Sequence, residues 1–119
     1  MKYMLLIYND AARMPAYGSP EFETFMAGFM TFNKEAASNQ ILLSGDALKD
    51  IATATSLRKR GSKVETMDGP FAETKEYLGG YYVIDVANLD EALRYAAMIP
   101  SAEFGTIEVR PLMDYNPAG

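Results

Sequence analysis

KYMLLIY, residues 2–8, is apolar on both faces that a β-strand would present: Met4, Leu6 and Tyr8 point one way, Tyr3, Leu5 and Ile7 the other. Strand side chains alternate across a sheet, so a strand wetted on one side alternates apolar with polar. One that is apolar throughout belongs inside a sheet covered on both faces. YYVIDV, residues 81–86, has the same character apart from Asp85, and is placed inside the sheet on the same ground.

Between and after these strands the pattern changes period. Asn9 to Gly18, with Pro15 and Gly18, reads as a loop. Ser19 is a helix N-cap, Pro20 suits the first helical position, and Glu21 and Glu23 lie where the helix dipole favours anions. Phe22, Phe25, Phe29, Phe32 and Ala36 then step by three and four, which predicts one buried helical stripe widened by Met26 and Met30. Ile41 to Leu48 reads as a strand, and Ala54–Lys59 and Lys63–Met67 flank Gly61-Ser62 as a hairpin. Arg58, Lys59, Arg60 and Lys63 put four of the eleven bases at its solvated tip. Asn88 caps a second helix with Glu91 in capping-box position, and Leu89, Ala92, Leu93, Ala96 and Ala97 form its expected stripe before Pro100 stops it. Thr106 to Met113 is the last strand, and Asp114 to Gly119 a frayed tail.

The order is strand, helix, strand, hairpin insertion, strand, helix, strand. It predicts an α+β domain on a split βαβ plan, an antiparallel sheet with both helices on one face, spanning 1–119. Two helices cover one side only, while residues 2–8 and 81–86 are apolar on both. A homodimer packed sheet to sheet is therefore expected.

Composition narrows the function classes. Apolar residues make up 49% and charged residues 23%, the balance of a folded globule. No apolar run approaches membrane-spanning length, so a cytoplasmic protein without a membrane partner is expected. Eleven basic against sixteen acidic residues leave a net charge of −5, which disfavours nucleic acid. The chain has no cysteine and no histidine. Thiolate and imidazole chemistry are thereby excluded, and acid–base work would fall to a shifted carboxylate, lysine or tyrosine. No metal site or cofactor is expected: no EF-hand spacing occurs, and Gly79-Gly80 precedes a strand, whereas phosphate-binding glycine loops lead into a helix.

DGPFAETKEYLGGYY, residues 68–82, concentrates rigid turn residues, charges and aromatics in one connection. Asp68, anchored by the Gly69-Pro70 turn, is the candidate catalytic carboxylate; capping its own turn is the structural alternative. Glu73, Lys75 and Glu76 could bind a polar ligand or form a solvated turn. Tyr81 could orient a ligand with its hydroxyl, or pack an interface. Ser44 and Asp46 are expected on one strand face with Leu42 and Leu48. Glu108 and Arg110 share a face of the last strand, where Arg110 could anchor an anion or the pair could fix dimer register.

The chain resembles the YCII-related, DGPF-domain family of small bacterial proteins over nearly its whole length. The resemblance rests on MKYMLLIY at the start, GDAL at 45–48, TATSLR at 53–58, DGPFAETKEYLGGYYVIDV at 68–86, LDEAL at 89–93 and EVRPLMDY at 108–115. It implies a ferredoxin-like dimeric α+β barrel. A His–Asp catalytic pair proposed in the wider group would place its acidic member at Asp68, but this chain has no histidine to complete it. Relatives that accompany extracytoplasmic-function sigma factors imply a regulatory partner. The expected function is a homodimer binding a small polar or aromatic molecule, as a sensor, through Asp68, Glu73, Lys75, Tyr81, Arg110 and Ser44 in a cleft beside the 68–82 connection. The alternatives are a small isomerase, hydrolase or lyase using Asp68 for proton transfer, and a protein-interaction module without ligand.

Overall fold

A computed structural model describes residues 1–115. The last four residues of the expected frayed tail lie outside the described residues. Strand β1 spans Lys2–Asp10, helix α1 Pro20–Ser38, β2 Leu42–Ala47, β3 Thr55–Arg60, β4 Lys63–Asp68, β5 Glu76–Asp85, helix α2 Leu89–Ala96 and β6 Gly105–Pro111. Short 3₁₀ turns at Ile51–Thr53 and Pro100–Glu103 complete the order.

Strands β2, β5, β1 and β6 form one antiparallel sheet in that spatial order, and β3 and β4 form a separate ribbon. With the ribbon set aside, this is the ferredoxin-like arrangement, and the two doubly apolar strands are its central pair. Tyr3, Leu5 and Ile7 of β1 face the helices and are buried against Phe32, Ala36, Ala92, Tyr95 and Ile99. Both helices begin as their caps dictate: Ser19 Oγ accepts from Phe22 N at 3.1 Å, and Asn88 Oδ1 from Glu91 N at 2.9 Å.

The opposite face carries Met4, Leu6 and Tyr8, paired across to Val83, Tyr81 and Leu78 of β5 and to Arg110, Glu108 and Thr106 of β6. No helix covers it. Its centre is apolar, and its two margins, Ser44 and Asp46 on β2 and Glu108 and Arg110 on β6, are polar.

Four expectations change. Residues 76–80 continue β5, so the connection after the ribbon shrinks to residues 69–75. Asp68 is the last residue of β4, opposite Thr55, and the bend begins at Gly69 with φ +95°, a conformation that favours glycine. On α2 the buried set is Ala92, Tyr95 and Ala96, while Leu89 and Leu93 are exposed: the helix turns Tyr95 inward, where it meets Phe32 edge-on and its hydroxyl accepts from Asn39 Nδ2. On β2 a bulge between Leu42 and Ser44 splits the expected face, sending Leu42 to the core and leaving Ser44 and Asp46 on the helix-free side. Met26 and Met30, expected to widen the buried stripe of α1, are also exposed.

Candidate functional site

A cavity of about 690 Å³ opens between α1 and the β2–β5 edge of the sheet. Its helix wall is Phe25, Met26, Phe29 and Asn33; its sheet wall is Leu42, Gly45, Ala47, Gly80 and Tyr82; Asn9 and Ser101 close it.

Each wall follows from local structure. Helical spacing puts Phe25 and Phe29 on one side of α1, where their rings meet edge-on with centroids 5.1 Å apart. Gly45, Ala47, Gly80 and Tyr82 stand on the helix side because Gly45 is opposite Tyr82 and Ala47 opposite Gly80. Gly45 and Gly80 are small because their neighbours approach closely: a Cβ on Gly45 would strike the Tyr82 ring at 2.5 Å, and one on Gly80 the Asp46 carbonyl oxygen at 2.8 Å. The register of β5 against β1 slips between Ile7 and Tyr8, skipping Gly79. A Cβ on Gly79 would collide with Asn9 Nδ2, so glycine lets the Asn9 carboxamide lie against the strand.

The polar groups fall into two kinds. Some are already engaged: Tyr82 donates to Asn33 Oδ1 and Tyr81 to Asp46 Oδ2, each at 2.8 Å. The hydrogen bond to Asp46 and its negative charge hold the Tyr81 hydroxyl above the usual tyrosine pKa of 10.0. Burial raises that of Tyr82, opposed by its bond to Asn33. Others are unengaged: Asn9 Oδ1 and Ser101 Oγ are buried with no hydrogen-bond partner among the described residues, and Ser101 is completely inaccessible. Buried polar atoms are nearly always paired, so two orphans in one cavity wall are its most specific feature. Among the described residues no lysine or arginine lines the cavity, and Asp46 is its one charged lining residue. No group of three or more carboxylates that could hold a metal ion occurs among the described residues.

The residues singled out from sequence are scattered. Ser44 and Tyr81 border the cavity, with Asp46, although strand register sets all three on the helix-free side. Arg110 lies on that same free face, on the far edge strand. Asp68 is exposed at the end of β4, and Glu73 is exposed in the connection. Lys75, also exposed, reaches the buried Asp10 carboxylate at 3.7 Å. Asn9, Asn33 and Ser101 were not singled out. Asn9 reads as a loop start and Ser101 as the residue after a helix-stopping proline, and only their orphaned atoms mark these two; Asn33 is marked by its bond from Tyr82.

The YCII-related domain model matches residues 1–116. An uncharacterised protein of Rhizobium meliloti (strain 1021) is 39% identical over 119 residues, covering 98% of this chain and 96% of the relative.

Proposed function

Because the chain belongs to the YCII-related family, we propose that it is a homodimeric small-molecule-binding protein whose α1–sheet cavity receives a neutral or cationic ligand with an apolar body and a buried hydrogen-bonding end. The observation that carries this reading is the aromatic-lined cavity of about 690 Å³, two of whose wall residues, Asn9 and Ser101, each hold a buried polar atom without a partner among the described residues.

The chemistry of the lining sets the ligand class. Phe25, Phe29, Met26 and Leu42 offer apolar contact to a ring or short chain, and the volume suits a small molecule. The amide oxygen of Asn9 accepts, and the Ser101 hydroxyl donates or accepts. A ligand hydroxyl or amide hydrogen would satisfy the first. A carboxylate would find no lysine or arginine in the lining to offset its desolvation.

The two-copy assembly is supported by the helix-free face. Its apolar middle and polar margins follow the anatomy of a protein interface. Among the described residues Glu108 and Arg110 form no ion pair within the chain, so both are free to meet groups on a second copy.

The binding reading is tested by ligand-observed NMR with phenol, benzamide and indole against benzoate. The neutral probes should bind saturably, and Ala47→Phe, which fills the cavity from β2, should remove binding while the protein stays folded. Equal binding to parent and filled variant, or no binding by any probe, would overturn it.

A further inference from the structure

The β3–β4 ribbon belongs to this chain without being held by it. Among the described residues its strands pair with each other and pack on no other element beyond incidental contact. Among the described residues, the hydrogen bonds and ion pair made by its side chains stay within residues 55–69. A two-stranded ribbon alone is marginally stable in water. This one leaves Leu57 63%, Val64 54% and Met67 46% exposed, with Phe71 at its base 73% exposed. Its projection raises the radius of gyration to 16.6 Å, against about 13.5 Å for a compact chain of this length.

Charge divides along the same line. Residues 55–68 hold four basic and two acidic side chains, net +2, whereas the rest of the chain holds seven basic and fourteen acidic, net −7. The field that sets two bodies against each other draws each arm toward the other body.

We infer that the β3–β4 ribbon is an exchanged arm that docks on the body of a second copy of this chain. Leu57, Val64, Met67 and Phe71 supply the apolar contact, and Arg58, Lys59, Arg60 and Lys63 meet the acidic groups of the partner. The exchange is reciprocal, so each chain gives one arm and receives one, and the contact closes at two copies. The inference rests on the two-copy assembly proposed above. Charge complementarity argues for the occupant: an arm of net +2 meets the body of net −7 that every second copy brings with it.

The chain has no cysteine, so Ser62→Cys at the arm tip can carry the one photoreactive benzophenone in the molecule. Irradiation of the full protein should give covalent dimers whose cross-links map to the partner's body, outside residues 55–68. The double variant R58E/R60E should raise the dimer Kd about ten-fold or more at low salt, and the gap should narrow as salt screens it. Cross-links confined to the tip's own chain, or a Kd unchanged in the double variant, would overturn the arm while leaving the dimer standing. A parent protein that stays monomeric at all concentrations would overturn the dimer as well. Binding of a labelled oligonucleotide that the double variant loses, with the dimer Kd unmoved, would reassign the arm to nucleic acid.

Discussion

A methyl group added to Gly79 would strike the Asn9 side chain, and that collision links one glycine to the chemistry of the cavity. The skipped residue in the β5 register makes room for the carboxamide, whose oxygen then has no partner. Ser101, the second residue of a 3₁₀ turn, is the same kind of feature. Burying a hydroxyl without a hydrogen bond costs about 1–3 kcal/mol. Ser101→Ala should therefore raise the unfolding free energy by about 1 kcal/mol in urea denaturation. A loss of stability in that variant would mean that the hydroxyl has a structural role instead. Little of this was legible in the sequence. Asn9 and Ser101 carry no motif, they stand at opposite ends of the chain, and residue type does not report whether a hydroxyl is satisfied. Of the conspicuous residues Asp68 and Gly69-Pro70, it is Gly69 that the irregular bend after β4 needs: it takes a positive φ, and its N–H and C=O bond back to Ala54 and Ser56.

At the scale of elements, periodicity located both α-helices and the six strands of the described residues because the caps and breakers agree with the apolar spacing, although it began β5 at Tyr81 instead of Glu76, gave Asn9 and Asp10 of β1 to a loop and showed neither 3₁₀ turn. Ser19, Pro20, Asn88 and Gly61-Ser62 act where alternation or helical stepping stops. Periodicity was less reliable about which face goes in. On α2 the leucines look like core, yet the small Ala92 and Ala96 let the helix approach the sheet and the Tyr95 ring fills the space beside Phe32. That orientation has a measurable consequence. Ala92→Leu should cost about 1–3 kcal/mol by overpacking, whereas Leu93→Lys should change stability by no more than about 0.5 kcal/mol. Chemical denaturation of both variants checks it, and the reverse order would mean that α2 sits rotated. A bulge is harder still to read: one extra residue between Leu42 and Ser44 moves Ser44 and Asp46 to the other face, and no local signal marks it.

The described chain measures 50 × 48 × 18 Å, a slab one sheet and one helix layer thick with an arm beyond it. That shape leaves the central strands with one face uncovered. Leu6→Lys, at the middle of that face, should give a folded monomer by light scattering with the cavity still binding neutral probes, and a variant that remains dimeric would show that the sheets do not meet. By itself the sequence determined the α+β class, the strand and helix order and the doubly apolar central strands, because these depend on local propensity and on alternation along a few residues. Only the tertiary structure decided where the cavity lies, which polar atoms are stranded in its wall, which way α2 faces and that the ribbon stands clear of its own body. Those outcomes depend on packing between residues distant in the chain, where one slipped register or one tyrosine turned inward changes which side chains meet.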